Sequence, residues 1–449
     1  MGISPDLKPR PSSLTRYNEV RFPSDGIFRE SCARLDAGFA LTPVKPHPPK
    51  DRRTAAVVLA GFCAFLNLYA PQPLLPILAR EFHTSAAGIS LLITASTVAV
   101  AVAAPLAGVL SDLLGRKRVL VPAALLLAIP SGLAATAASL NQLVFWRFWQ
   151  GVFTPGISVV VSAYINEEWE LGVGRAMSAY VSGTVLGGFS GRMLAGLIAS
   201  RLVWRWAFAI LGIISAAAGL LVWAWLPPGK RFVKAVGQAS SPVYFAVKSL
   251  SAMARHMRNP RLLATFAVGF CVLFSMLATF TYVNFYLAAP PFGLSPAALG
   301  FLFVVYLGGA LANTIAGRWL DRAGHRLTIT VAFGGGVAGI LLTLIPSMPL
   351  ILLGLALCSS GTFIAQSASV SYVGTIAREA RAAAVGLYVL FYYVGGSFGA
   401  AVPGLFWNRG GWPALVALIA SVQILTILIA ALFWRPARAV EVAVFQARN

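Results

Sequence analysis

From about residue 54 onward, long apolar runs alternate with short polar punctuation. They recur twelve times, beginning near Thr54, Ala87, Lys117, Asn141, Gly174, Arg205, Leu262, Ser295, Arg326, Met348, Arg381 and Trp412. Each is about 20 residues long, the length a helix needs to cross roughly 30 Å of hydrocarbon at 1.5 Å per residue. The pattern predicts an all-α membrane protein with 12 transmembrane helices. Three segments fall outside it. Residues 1–53 are polar, Pro-rich and basic without the apolar stretch of a signal peptide, and read as a disordered cytoplasmic tail. Residues 227–261 read as a basic cytoplasmic linker and 436–449 as a second cytoplasmic tail.

The runs fall into two sets of six. "GVLSDLLGRKRV" from Gly108 is echoed by "GRWLDRAGHRLT" from Gly317, so that Asp112 falls on Asp321 and Gly115 on Gly324 at a shift of 209. At 208, Tyr164 falls on Tyr372, Tyr180 on Tyr388, Gly187 and Gly188 on Gly395 and Gly396, Gly191 on Gly399, and Trp204 on Trp412. An even number of spans preserves orientation. The expectation is two six-helix bundles, 54–226 and 262–435, related as parallel repeats about an axis along the membrane normal, with the solute site between them.

Charge sharpens the topology. The chain is 58% hydrophobic and 11% charged, yet carries a net charge of +21. Such a charge invites a nucleic-acid reading, which its distribution excludes. With both termini cytoplasmic, 29 of the 35 Lys and Arg lie in cytoplasmic tails and loops; Arg80, Arg201, Arg205 and Arg409 fall at outer ends, and Arg147 and Arg192 within spans. This is the positive-inside bias. Cys32, Cys63, Cys271 and Cys358 have no paired spacing, and all four His residues lie outside the spans, so neither a disulfide, a metal nor another cofactor is expected. No Gly-x-x-x-x-Gly-Lys-Ser/Thr loop suggests an ATP-driven pump, and no catalytic constellation in the spans suggests an enzyme.

Between the second and third spans, Gly108, Asp112, Gly115, Arg116 and Lys117 match Gly-x-x-x-Asp-x-x-Gly-Arg-Lys/Arg; Gly317, Asp321, Gly324 and Arg326 form a degenerate copy. Arg147, Gln150 and Gly151 follow as Arg-x-x-Gln-Gly in the fourth span. On these residues the chain resembles the major facilitator superfamily. "YAPQPLLPILAREF", "YVSGTVLGGFSGRMLAG" and "LYVLFYYVGGSFGAAVPGLFW" are most similar to its YnfM-like branch of bacterial inner-membrane exporters. The resemblance implies a monomer working by alternating access, with spans one, four, seven and ten lining a central cavity. It also implies that the loop cluster, with Glu167 and Glu168 below the fourth span, latches the cytoplasmic face. Exporters of the family typically carry Gly-Pro in the fifth span, where this chain has "SGRMLAG". A bacterial cytoplasmic membrane also fits the absence of Asn-x-Ser/Thr sequons and of a cleavable leader.

Polar faces within apolar spans mark the candidate site, because lipid offers polar groups no partner. In the fourth span Arg147, Gln150, Thr154 and Ser158 share a face; the tenth has Thr362, Gln366 and Ser369, the seventh Ser275, Thr279 and Tyr282, and the first Asn67 and Gln72. With Arg192, Tyr388 and Tyr392 these give the cavity-lining set. The competing reading is hydrogen bonding between helices by scattered Ser and Thr. Along the fifth span, Gly183, Gly187, Gly191, Ala195 and Ala199 form a packing face, echoed by Gly395, Gly399 and Pro403 in the eleventh. An arginine at the centre of a span costs about 2.5–3.5 kcal/mol on insertion scales, so Arg147 and Arg192 need a reason. Either carbonyls, water and snorkelling satisfy them, or they face a solute with oxygen acceptors. Glu81, near the outer end of the first span, is the nearest candidate for proton coupling. The expectation is a secondary transporter, an exporter of a small neutral or anionic organic solute, with proton coupling left open. The alternative is a transporter-like membrane sensor or scaffold without flux. Its partners are then a small-molecule solute and the lipid bilayer, and no nucleic acid.

Overall fold

In the computed structural model the described residues are 50–169, 171–227, 229, 251, 253–377 and 379–434. The N-terminal tail to residue 49, most of the expected linker and the C-terminal tail from residue 435 lie outside them. Among the described residues, twelve helices are long and apolar enough to span a membrane: α1 (Arg52–Glu81), α2 (Ala86–Leu114), α3 (Arg116–Thr136), α4 (Leu140–Glu168), α5 (Val173–Arg201) and α6 (Trp204–Trp225) precede the linker. After it come α7 (Pro260–Ala288), α8 (Pro296–Gly317), α9 (Arg322–Leu342), α10 (Met348–Ile376), α11 (Ala383–Ala401) and α12 (Pro403–Phe433). The described residues contain no strand.

Local chemistry sets the ends. Asn259 caps α7, its Oδ1 accepting from the Arg261 and Leu262 amides at 3.0 and 3.4 Å, with Pro260 at the first helical position. Ser85 and Ser295 cap the second span of each half through the amides of Gly88 and Ala298. The expected starts agree with the structure to within a few residues except the last. There the helix begins at Pro403, breaks at Gly410 and Gly411, and resumes at Trp412, where the apolar run begins. Lipid-facing stripes are plain: on α6, Trp206, Ile213 and Leu220 are exposed at heptad spacing.

The repeat extends to contacts. Gly61 lies so close to Tyr180 that a Cβ would come within 2.9 Å of its ring, and Gly269 stands likewise to Tyr388. A Cβ on Gly187 would lie 2.7 Å from Phe62 Cα and one on Gly395 2.5 Å from Phe270 Cα; Gly191 against Leu66 matches Gly399 against Phe274. Every partner in these pairs is displaced by the same 208 residues. Thus α1 packs on α5 as α7 packs on α11. The glycine faces are the packing surfaces that let these backbones meet.

The turns at Gly115 and Gly324 lie on one face of the bundle, which also carries the basic loops. At Gly115 φ is +100° and at Gly324 +77°, conformations that disfavour a Cβ and explain glycine at both places. Among the described residues, the hydrogen bonds joining the halves all lie towards the opposite face. Gln72 Nε2 donates to Thr281 Oγ1 (3.2 Å), the Ala297 amide to Ser200 Oγ (2.8 Å), and Ser397 Oγ to Thr97 Oγ1 (2.9 Å). Gly196 abuts Pro296 and Gly300 abuts Arg192 and Met193 along that seam, while Gly404 meets Ala87. On the basic face, a Cβ on Gly108 or Gly317 would meet nothing within 4 Å. The hydrogen bonds and glycine contacts named here join the halves at the face opposite the basic loops.

Candidate solute site

Two helix interruptions lie beside the closed seam. In α1, regular helix ends at Leu68 and resumes as a 3-10 turn at Gln72, because Pro71 and Pro73 lack the amide that would continue it. In α8, the helix stops at Leu302 and restarts at Val305. Interrupted helices expose backbone groups at membrane depth, and such places are tolerated where protein or a lined cavity satisfies them.

Arg147 satisfies the first interruption. Its Nη1 donates to the Asn67 carbonyl (2.8 Å) and to Gln150 Oε1; Nη2 donates to the Leu68 carbonyl and to Ser96 Oγ (3.0 Å); Nε donates to the Leu92 carbonyl (3.1 Å). All five N–H groups are used, and the residue is fully buried. Of the two readings left open for Arg147, satisfaction by carbonyls is the one the geometry favours. Its stripe behaves likewise: Gln150 Nε2 reaches the Pro130 carbonyl (3.4 Å), Thr154 bonds back to the Gln150 carbonyl (2.8 Å), and Asn67 Nδ2 bonds Ser215 Oγ (2.7 Å).

Arg192 is different. Nε donates to Gln72 Oε1 at 2.6 Å and Nη1 to the Gly188 carbonyl at 2.6 Å, but Nη2, with the residue 1% exposed, has no hydrogen-bond partner among the described residues. Its charge rests instead on rings from both halves: Tyr69 at the α1 break (4.9 Å), Phe303 at the α8 break (4.5 Å) and Tyr306 (4.9 Å). A desolvated cation over an aromatic face gains about 2 kcal/mol. That offsets part of the desolvation cost and leaves three of the five N–H groups, both on Nη2 among them, without a hydrogen bond. The Tyr306 hydroxyl beside it also has no partner. On α11, Tyr392 stacks on Tyr388 and meets Tyr393 edge to face at 5.5 Å. These features make a buried cationic spot walled by rings, at the meeting of two broken helices.

A sequence model described as the Major Facilitator Superfamily matches residues 57–290 and again 275–447. The chain belongs to the Major Facilitator Superfamily. It is 33% identical over 384 residues to the inner membrane transport protein YnfM of Escherichia coli, covering 85% of this chain and 90% of that one. With YybF of Bacillus subtilis, an uncharacterized MFS-type transporter, it shares 32% identity over 382 residues, 84% and 93% of the two chains. Its fold is that of the nucleoside transporter NupG, with a TM-score of 0.71 at 16% identity over 85% of this chain and 100% of that one. This facilitator is a transporter, not an enzyme.

Several of the facilitator's expected lining residues spend their polar groups within their own half. Thr279 bonds the Ser275 carbonyl (2.8 Å) and Tyr282 the Ala400 carbonyl (2.9 Å). Gln366 is half-buried on α10. Tyr388 and Tyr392 stack at 6.0 Å. Glu81 lies far from the rings: it pairs with Arg205 at 3.5 Å, its side chain 48% exposed at the end of α1. Tyr69, Thr281, Phe303 and Tyr306 belong to the site and were not singled out in the sequence. The prolines of "YAPQP" are a signal from which the break that places Tyr69 could have been read; α8 carries no comparable one.

On the basic face Arg116 organises the loop cluster. It meets Asp112 at 2.5 Å, Ser111 Oγ at 2.6 Å, and both Glu167 carboxylate oxygens through Nε at 3.1 and 3.0 Å. Lys117 Nζ caps α6 through the Trp223 carbonyl (3.1 Å) and that of Leu226, and Glu168 faces Arg53 at 3.9 Å. These bonds all lie within the first half, and they tie that half together. In the second half His325, in the register of Arg116, meets Ser371 at 3.0 Å. Arg326 falls in the register of Lys117, and the side chain of Asp321 lies outside the described residues.

Proposed function

We propose that the protein is a secondary transporter of a bacterial inner membrane that exports a small neutral or anionic organic solute by alternating access. The observation that carries this reading is the one-sided seam: hydrogen bonds and glycine contacts join the halves at one face, with Arg192 at the base of the closure. The positive-inside distribution turns the basic face to the cytoplasm, which puts the joined seam on the outer side. Rocking of the halves would break the seam and bring the basic-face cluster against the second half, where Asp112 could exchange its bond to Arg116 for the N-terminus of α11. The similarity to YnfM supports the inner-membrane location, and the resemblance to its branch supports export.

Flux in proteoliposomes under an imposed pH gradient, screened over sugars, organic acids and dyes, tests the reading. Saturable, gradient-dependent movement of a solute is expected, and an accompanying pH change would establish proton coupling. A correctly folded preparation that moves none of them would instead favour a sensor or scaffold.

A further inference from the structure

We propose that Arg192, Tyr306 and the rings around them form the recognition site for an aromatic monocarboxylate, and that Gln72 is the internal competitor the solute displaces. The inference rests on the transporter reading and gives its solute a class.

One buried guanidinium, with no carboxylate among its contacts, calls for one negative charge. A phosphate dianion would require a second cation, and Arg147 has no N–H left to offer. A carboxylate matches the planar guanidinium edge and accepts two parallel bonds. The unmet donors are Nη2 of Arg192 and the hydroxyl of Tyr306. The surroundings are aromatic on both sides of the seam, from Tyr69 in the first half to Phe303 and Tyr306 in the second. Tyr392 and Tyr393, 5.5 Å apart, continue the wall, so the remainder of the solute meets ring faces and edges. Tyr69, Tyr392 and Tyr393 are buried with Arg192 but keep 6–9% exposure where it has 1%, so the charge is the more deeply enclosed group.

Gln72 makes the site a switch. Its Oε1 accepts from Arg192 while its Nε2 donates across the seam to Thr281. A carboxylate is the stronger acceptor for Arg192, because both partners are then charged. Once it takes the guanidinium, Gln72 loses the bond that holds it in place and the hydrogen bond to Thr281 weakens. Solute entering from the basic face thereby loosens the opposite seam, which is the order of events export requires.

Isothermal titration of the purified full-length protein with benzoate, benzamide and benzyltrimethylammonium tests the site without relying on flux. Benzoate is expected to bind saturably and the other two at least about tenfold more weakly, the ratio for one hydrogen bond to a charged group. Arg192→Gln should abolish the difference between benzoate and benzamide. Tyr306→Phe, which removes only a hydroxyl, should weaken benzoate about three- to tenfold with unchanged melting temperature. Gln72→Ala removes the competitor and should tighten benzoate binding, an outcome no packing role would produce. Equal affinity for benzoate and benzamide, or weaker binding in Gln72→Ala, overturns the proposal. Flux of other solutes without benzoate binding also overturns it and leaves the transporter reading standing. Benzoate binding without flux of any solute sustains the site and refutes the transporter reading instead.

Discussion

Adding one methyl group at the closed seam should tip the protein towards its other conformation. Gly300 on α8 faces the backbone of α5, and a Cβ built there would lie 2.7 Å from the Arg192 carbonyl oxygen and 3.1 Å from Met193 Cα. The obstacle is backbone on a different half, so no rotamer change relieves it. In Gly300→Ala the cheapest relief is to part the halves. Overpacking of this kind costs about 1–3 kcal/mol, and only the closed-seam state bears it. A penalty of that size changes the ratio of the two states about 5- to 150-fold. A state held at a few per cent would become comparable to or dominant over the other. The assay is disulfide formation between cysteines at Thr97 and Ser397, whose hydroxyls are 2.9 Å apart on a separate part of the seam. The native cysteines are replaced first; Cys63, Cys271 and Cys358 are buried. Gly300→Ala should slow cross-linking by several-fold, with the melting temperature little changed. Gly187→Ala is the control: its Cβ would strike Phe62 within the same half, so it should lower stability without a specific change in cross-linking. An unaltered cross-linking rate in a destabilised Gly300→Ala would refute the reasoning, leaving that glycine a packing residue only.

Arg147→Gln should destabilise the protein rather than alter solute affinity, because it orphans the carbonyls of Asn67, Leu68 and Leu92 at about 1–3 kcal/mol each; thermal unfolding in detergent reads this, and a stable variant that lacks only solute binding would reverse the assignment. Asp112→Asn should abolish flux while the protein stays folded: Arg116 keeps Glu167, and a partly exposed ion pair contributes at most about 1 kcal/mol, so unchanged flux would remove the proposed latch. Glu81→Gln should leave the pH dependence of flux unaltered, since its exposed pairing with Arg205 does not reach the centre; loss of proton coupling with flux retained would restore Glu81 as the coupling group.

The apolar runs and the 208-residue repeat were enough to give twelve helices in two matched sets and their glycine faces, because burial in lipid and backbone contact both leave strong marks on residue type. The site was only partly legible. Polar residues on one helical face of α4 suggested a lining, but periodicity cannot tell an arginine that caps a broken helix from one that waits for a ligand. Asn67 and Leu68 present their carbonyls to Arg147 only because the chain turns at Pro71 and Pro73. Phe303 and Tyr306 were invisible for another reason: in "GFLFVVYLGG" they are two aromatics among apolar neighbours, and only the approach of the other half makes them walls of a cationic site.

Symmetry separates the machinery from the chemistry. The contacts on which the halves are built survive duplication: Gly61 with Tyr180 becomes Gly269 with Tyr388, and Gly191 with Leu66 becomes Gly399 with Phe274. At the same shift Arg192 falls on Ala400, Gln72 on Phe280 and Arg147 on Leu355. Every charged or amide group of the seam switch is thus missing from the second half, and Phe280 packs its ring on Tyr306 at 4.6 Å, shaping the wall opposite Arg192. Two halves of like shape can exchange inclination at little cost, since their internal packing is the same and need not change. The preference for one inclination over the other must then come from groups present once. Those groups are Arg192, Gln72 and Thr281, which is why a solute that takes the guanidinium of Arg192 has leverage over the whole movement.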